Sequence, residues 1–314
     1  MKRLTVASIQ MDALPGQREH NIENSAKYIQ QAVDQGAKLI LLPEFLPCGY
    51  GVNESVWEGA ETIDGPSVQW LKQQSIKHNI YLGFTFFEAD GEHFYNSFIL
   101  TKPNGEIAGQ VRKAPAASTE AYLYSHGDGS HVIETEFGRI GINICYEILL
   151  HHRVNELHEE GIDLCLQPCA AGRPKPFIPG DVERLERSFN QARQKHYQAL
   201  GVPIIMANRV GKLEGKLPGP FPYIKSSFMG GSYISDCDGK ILSELPDDEG
   251  VIVSTITIDP KYKARRKPPK RYGSQWIIPM PWYSFLYPLS QKMGEKAYQK
   301  SEKRRLFARQ SSNR

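Results

Sequence analysis

The sequence predicts a layered α/β protein, and three observations predict it. Stretches with helical apolar spacing alternate with short apolar runs of strand length. Turn residues punctuate the boundaries between them. At least one pair of runs is joined as a hairpin, so antiparallel and crossover connections are mixed in one chain.

The elements follow in order. Asn21 to Gln35 carries Ile22, Ala26, Ile29, Ala32 and Val33 on one helical stripe, and Gly36-Ala37 ends it. Leu39 to Leu42 then reads as a strand. Ser67 to Asn79 is a second helix, and Ile80-Tyr-Leu-Gly-Phe-Thr-Phe-Phe is the strand after it. Asn96 to Thr101 turns at Lys102-Pro-Asn-Gly105 and returns through Glu106 to Lys113, a hairpin signal. Gly138-Arg-Ile-Gly-Ile-Asn-Ile-Cys145 is an apolar run, and a helical segment follows from Ile148 to Glu160. Asp181 to Leu200 is a long amphipathic helix ahead of the run Val202 to Ala207. No internal repeat is visible.

Composition narrows the class. The 314 residues are 40% hydrophobic, enough for the core of one large domain or two modest ones. No apolar run approaches the roughly 18 residues of a spanning helix. Met1-Lys-Arg-Leu-Thr-Val begins in a strand-like pattern without a long apolar leader. The five cysteines, Cys48, Cys145, Cys165, Cys169 and Cys237, are odd in number and lack Cys-x-x-Cys spacing. A disulfide framework is not expected, and a reducing cytoplasm is. Nine scattered histidines show no metal-ligand spacing, so neither a metal nor another cofactor is expected.

Cys145 carries the chemistry. It ends an apolar run and stands just ahead of a helical segment, where helix amides and a neighbouring cation favour a thiolate. Read alone, it is more often simply a small buried hydrophobe. Glu44 ends the run Lys38-Leu-Ile-Leu-Leu-Pro-Glu44, and Lys113 ends the hairpin return. If those strands share a sheet and a direction, an acid, a cation and a thiol meet at one edge, the minimum equipment for thiol acylation. Cys165 reads as strand core. Cys169, in Gln-Pro-Cys-Ala-Ala-Gly, ends another run and is placed at the pocket.

Leu-Leu-Pro-Glu44-Phe, Arg-Lys113-Ala-Pro and Ile-Cys145-Tyr-Glu, in this order and spacing, resemble the nitrilase superfamily of carbon-nitrogen hydrolases. Supporting pieces are Thr5-Val-Ala-Ser-Ile-Gln10, Tyr124-Ser-His-Gly127-Asp, Met206-Ala-Asn208-Arg and Gly230-Gly231-Ser232. The resemblance runs from about Lys2 to Ile258. It implies a four-layer α-β-β-α sandwich whose subunits commonly pair, so a homodimer or higher homo-oligomer is expected. It also implies that Cys145 is the nucleophile and Glu44 the general base. Lys113 is the implied oxyanion partner, completed by the Tyr146 N–H. Glu120 resembles the second glutamate of such sites, although it comes slightly early and Ala114-Pro115 replaces the usual His-Leu. Glu147 stands where relatives carry an acid; it either binds a polar substrate group or holds the following helix. Arg173 and Lys175 hint at an anionic group on the substrate.

The last segment is unusual. Residues 261–314 hold 15 Lys/Arg and 2 Asp/Glu, a net +13, whereas residues 1–260 hold 23 and 33, a net −10. A hydrolase domain over 1–260 and a basic extension over 261–314 are therefore expected. Two basic clusters (Lys263 to Arg271 and Lys292 to Arg305) flank an aromatic stretch with Trp276, Trp282, Phe285 and Tyr287. Such a tail is expected to pack on the acidic body of its own dimer, and the same composition suits peripheral docking on an anionic membrane. Its prolines interrupt a continuous amphipathic helix. No nucleic-acid-reading module accompanies the basic end, so nucleic-acid binding is not expected.

The expected function is cysteine-dependent hydrolysis of a non-peptide carbon-nitrogen bond in an amide, carbamoyl or ureido compound. A nitrile is chemically equivalent at the thiol. Transfer of the acyl group to an amine is the other alternative, because Ile-Cys145-Tyr-Glu-Ile also resembles the soluble domain of apolipoprotein N-acyltransferases. A silent scaffold is the least favoured reading, since all three reactive residues are present.

Overall fold

The computed structural model describes residues 1–173, 180–271 and 286–313. The first half runs β1 (Lys2–Gln10), α1 (Arg18–Asp34), β2 (Leu39–Leu41), α2 (Pro66–His78), β3 (Tyr81–Asp90), β4 (His93–Thr101) and β5 (Ile107–Arg112). The second runs β6 (Val132–Thr135), β7 (Gly138–Ile142), α3 (His151–Glu160), β8 (Leu164–Pro168), α4 (Asp181–Leu200) and β9 (Ile204–Ala207). It continues with β10 (Lys212–Lys216), β11 (Tyr223–Ser227), β12 (Ser232–Ser235), β13 (Ile241–Leu245) and β14 (Gly250–Ile258). A short helix, α5 (Pro260–Lys263), follows, and α6 (Tyr287–Lys300) and α7 (Glu302–Ser312) close the chain.

Two six-stranded sheets result, in the orders β14-β1-β2-β3-β4-β5 and β6-β7-β8-β9-β12-β13. In each, three parallel strands are extended on both sides by antiparallel ones. The two sheets therefore repeat one topology, with β7, β8 and β9 standing for β1, β2 and β3. The sequence carries a trace of this repeat: Leu39-Ile-Leu-Leu-Pro-Glu44 ends β2 as Leu164-Cys-Leu-Gln-Pro-Cys169 ends β8. The expectation of no internal repeat is corrected, because the repeat lies in connectivity and survives in only a few side chains.

Residue alternation builds the layers. Along β1 and β2, Val6, Leu39 and Leu41 enter the core shared with the second sheet, whereas Ala7, Ile9 and Ile40 join Ile29, Val68 and Leu71 of α1 and α2. The sheets touch face to face through Ser8, whose hydroxyl donates to the Met206 carbonyl at 2.6 Å, and Gln10, which accepts from Ser232 N–H at 2.9 Å. Val154, Leu157, Ala192 and Ala199 of α3 and α4 cover the other side. The order is α-β-β-α, as the resemblance implies.

The predicted hairpin is β4–β5, closed by Gly105 N–H to the Lys102 carbonyl at 2.8 Å, with Gly105 in the left-handed region. The predicted helix from Ile148 starts later. Cys145–Leu149 is a 3-10 turn, and α3 begins at His151.

The described part of the tail folds back on its own chain. Gly294 lets α6 approach so closely that a Cβ would lie 2.8 Å from the Ala121 backbone. Ser290 Oγ and Ser118 Oγ are 2.7 Å apart. On α7, the buried Arg304 donates to the Tyr298 carbonyl and to the Glu92 carbonyl, and Lys303 meets Glu54 at 2.6 Å. Phe94 N–H donates to Tyr298 OH at 2.9 Å, and Trp57 stacks on Phe94 and meets Phe307 at a tilt. Trp276, Trp282 and Phe285 lie outside the described residues. Among the described residues no helix is long and apolar enough to cross a membrane, and no cluster of three His, Cys, Asp or Glu is placed to hold a metal ion.

Candidate active site

Each reactive residue follows a strand that stops abruptly. Pro43 has no N–H to extend β2, so the ladder ends with Leu42 N–H on the Gly83 carbonyl, and Glu44 turns inward. Phe45 takes φ 53° there, held by its N–H on Thr85 Oγ1 at 2.7 Å. Lys113 makes the last rung beyond β5, its N–H donating to the Asn96 carbonyl at 2.8 Å. Gly127 then packs on this strand so tightly that a Cβ would sit 2.4 Å from the Arg112 carbonyl oxygen, which explains the glycine in Tyr124-Ser-His-Gly127.

Cys145 lies past the end of β7 with φ 51°. A non-glycine residue in the left-handed region costs about 1–2 kcal/mol and persists only where its surroundings enforce it. Glu147 is the enforcing group. It accepts from Ile144 N–H and Ala114 N–H, both at 2.6 Å, and lies 2.9 Å from His131 Nε2. One carboxylate thereby ties the Cys145 turn to the backbone just after Lys113.

Glu44 and Lys113 come from one sheet and Cys145 from the other, so the expected single sheet edge is corrected. β2 and β5 are parallel and end at the same edge, and β7 reaches that edge from the facing sheet. Lys113 Nζ, fully buried, donates to Glu44 Oε1 at 2.8 Å and to Glu120 Oε2 at 2.9 Å. Asn96 Nδ2 donates to Glu44 Oε1 at 2.6 Å. Glu44 Oε2 is buried without a nitrogen or oxygen donor among the described residues. The Cys145 thiol hydrogen-bonds this carboxylate.

The electrostatics divide the two carboxylates. Burial pushes Glu44 up, Lys113 pulls it down, and the charge of Glu120 raises it again, so it stands above the usual carboxylate range. Glu120 is penalised by burial too, but Lys113, Tyr124 and Tyr50 outweigh this and hold it below that range. Tyr50 and Tyr124 both donate short bonds to it, and Ala117 N–H adds a third at 2.9 Å. Burial opposes the charge on Lys113, yet Glu120 and Glu44 keep it well above its ordinary value. The Cys145 thiol is pushed far up by its hydrogen bond with Cys169, by burial and by the Glu44 charge, against the pull of Lys113. Cys145 is therefore held as a thiol beside the Glu44 carboxylate and not as the thiolate that a helix N-terminus would favour.

The other expected positions separate. Tyr146 lines the pocket, its ring 5.3 Å from that of Tyr287. Arg173 also lines it, but its guanidinium is engaged by the Phe228 and Met229 carbonyls and, at 2.8 Å, by Asp247. Cys169 is fully buried and hydrogen-bonds the Cys145 thiol, so it sits behind that thiol without lining the pocket. Glu147 as a substrate-binding group is corrected: fully buried, it spends its oxygens on backbone and His131. Lys175 lies outside the described residues. Sequence reasoning missed Asn96, Tyr50, Tyr124 and His131 as partners of these acids. Tyr124 stood in a quoted motif, and Asn96 opened a quoted strand, so position offered a weak signal for both.

The carbon-nitrogen hydrolase family profile matches residues 5–266. A citrullinase from Francisella tularensis is 29% identical over 82% of this chain and 90% of its own length. A probable nitrilase from Schizosaccharomyces pombe is 27% identical over the same shares, 82% and 90%. In fold, a carbon-nitrogen hydrolase from Helicobacter pylori superposes with a TM-score of 0.75 at 21% identity, covering 84% of this chain and 92% of that one. With its sandwich fold and this match over most of its length, the chain belongs to the carbon-nitrogen hydrolase family and is an enzyme of the amidase and nitrilase type.

Proposed function

We propose that the enzyme hydrolyses a non-peptide carbon-nitrogen bond through a thioester on Cys145. The observation that carries this is the meeting of Glu44, Lys113 and Cys145 at the base of one pocket, with a carboxylate of raised pKa touching a protonated thiol. Glu44 takes the thiol proton as sulfur attacks the carbonyl carbon, and Lys113 stabilises the developing oxyanion. Glu44 returns the proton to the leaving amine, which departs and leaves the acyl group on sulfur. Water, deprotonated by Glu44, then attacks the thioester and releases the acid and the thiol.

Glu120 stays ionised in this reading and fixes Lys113. A base that must both take and give a proton works best with a pKa near the working pH, which the burial of Glu44 favours. Relatives are named for citrulline, N-carbamoylputrescine, amides and nitriles, which supports the reaction class. Cys145→Ala tests the reading: it should abolish turnover of every amide and nitrile that the parent accepts while the fold is kept. Retention of more than a small fraction of activity would exclude the thiol route.

A further inference from the structure

We propose that the scissile carbon of the natural substrate is borne on a bulky apolar acyl group, and that α6 is the wall that selects it. This rests on the thiol-hydrolase reading above and names its substrate class. The pocket over Cys145 holds about 440 Å³, the size of small-molecule sites. Its reactive groups sit together at one end, where Cys145 and Glu120 reach the surface of the pocket and Lys113 lies behind them. Away from that end the described lining is largely apolar, with Arg173 and Ser290 among its polar members. Leu213, Leu217, Phe221 and Ile224 come from the β10–β11 hairpin and its turn, Leu149 and Phe189 from the second half, and Tyr287, Leu289 and Met293 from α6.

The charges of the described lining favour one substrate class. The charged side chains of the described lining are Glu120 and Arg173. Glu120 is occupied by Lys113, Tyr50, Tyr124 and the Ala117 amide, and Arg173 by two carbonyls and Asp247. A substrate ending in a carboxylate or ammonium would bury that charge against hydrocarbon with no described partner. An apolar acyl chain gains at each methylene instead.

The wall is held to the catalytic loop. Gly294 packs on Ala121 and Tyr122, the Ser290 and Ser118 hydroxyls are paired, and the Tyr287 ring lies against that of Tyr146. Ser118, at φ 51°, lies between Lys113 and Glu120. Helix α6 therefore shapes the pocket from a fixed position on the same loop that carries the oxyanion and orienting residues.

The test is kcat/KM across linear primary amides from acetamide to octanamide, with ω-amino and ω-carboxy amides of matched length, and intact mass recorded in parallel. The expected result is a rise of about fourfold per methylene until the pocket is full, with charged termini at least tenfold poorer than their apolar isosteres. Leu289→Ala with Met293→Ala should flatten that rise; Leu289→Gln, at a position 56% exposed, keeps the test readable if the double variant does not fold. Acyl-enzyme formation with a flat chain-length profile, or best rates for charged termini, overturns the apolar class and leaves the thiol reading standing. A steep profile that these variants do not change overturns the role of α6. Absence of any Cys145 adduct with every amide counts against the thiol reading itself.

Discussion

Glu44 and Glu120 grip the same ammonium group, Lys113 Nζ, from 2.8 and 2.9 Å, yet they are pushed in opposite directions. One cation neutralises one buried carboxylate well. Three further donors, from Tyr50, Tyr124 and the Ala117 amide, give the negative charge to Glu120. Glu44 keeps one buried oxygen without such a donor, which suits it to carry the proton in the proposed reaction.

Removing the charge of Glu120 should therefore move the titration of Glu44. That charge raises Glu44, so in Glu120→Gln the acid limb of kcat/KM should shift to lower pH while the maximum falls. Stability should respond as well. Because Glu120 is depressed in the folded state, its contribution is complete above the ordinary carboxylate pKa of about 4.3 and is lost as pH falls through the depressed value. Melting temperatures from pH 6 to 3 should fall less steeply in the Gln variant. An unmoved acid limb would contradict the shared-cation account.

Lys113→Ala should lose acylation by roughly 3 kcal/mol or more, because it removes the proposed oxyanion partner and strands buried carboxylates. Single-turnover kinetics should show slow formation of acyl-enzyme with no pile-up of it.

Glu147 acts at a distance from the substrate. Glu147→Ala strands two backbone N–H groups and should cost about 2–4 kcal/mol of stability. Glu147→Gln keeps an acceptor and should recover much of the melting temperature. Because the Cys145 turn and the Lys113 backbone share this clamp, kcat should fall more than KM rises in both variants.

The tail should contribute stability to its own chain. Tyr298→Phe removes the acceptor of the buried Phe94 N–H and should cost about 1–3 kcal/mol. Truncation after Arg271 uncovers Trp57 and Phe94 and should lower the melting temperature further. Sedimentation of the truncated chain with and without anionic vesicles at low salt reads out, separately, the dimer strap and the membrane anchor that the tail's composition suggested.

Much of the site was legible because local patterns encode it. Glu44 and Lys113 end apolar runs that proline or an Ala-Pro step terminates, and Cys145 ends a third. The α-β-β-α order followed from the family resemblance. What resisted reading was non-local. That β7 pairs with β8 and not with β5 is settled by packing across the sandwich, not by either strand's residues. Asn96 and Tyr50 converge on acids 52 and 70 residues away, with only a weak positional signal for Asn96 and none for Tyr50. The position of α6 depends on Gly294 and Ser290 meeting a loop some 172 residues earlier, whereas the basic composition pointed to a dimer partner or a membrane surface.

The most direct measurement is intact and peptide mass spectrometry of Glu44→Gln during incubation with an amide of long apolar acyl chain. The account predicts slow formation of a single acyl adduct on the peptide containing Cys145, persisting because water lacks its base. No adduct under conditions where the parent turns over, or an adduct on Cys169 or Cys165 instead, would contradict a thioester on Cys145 as the centre of this chemistry.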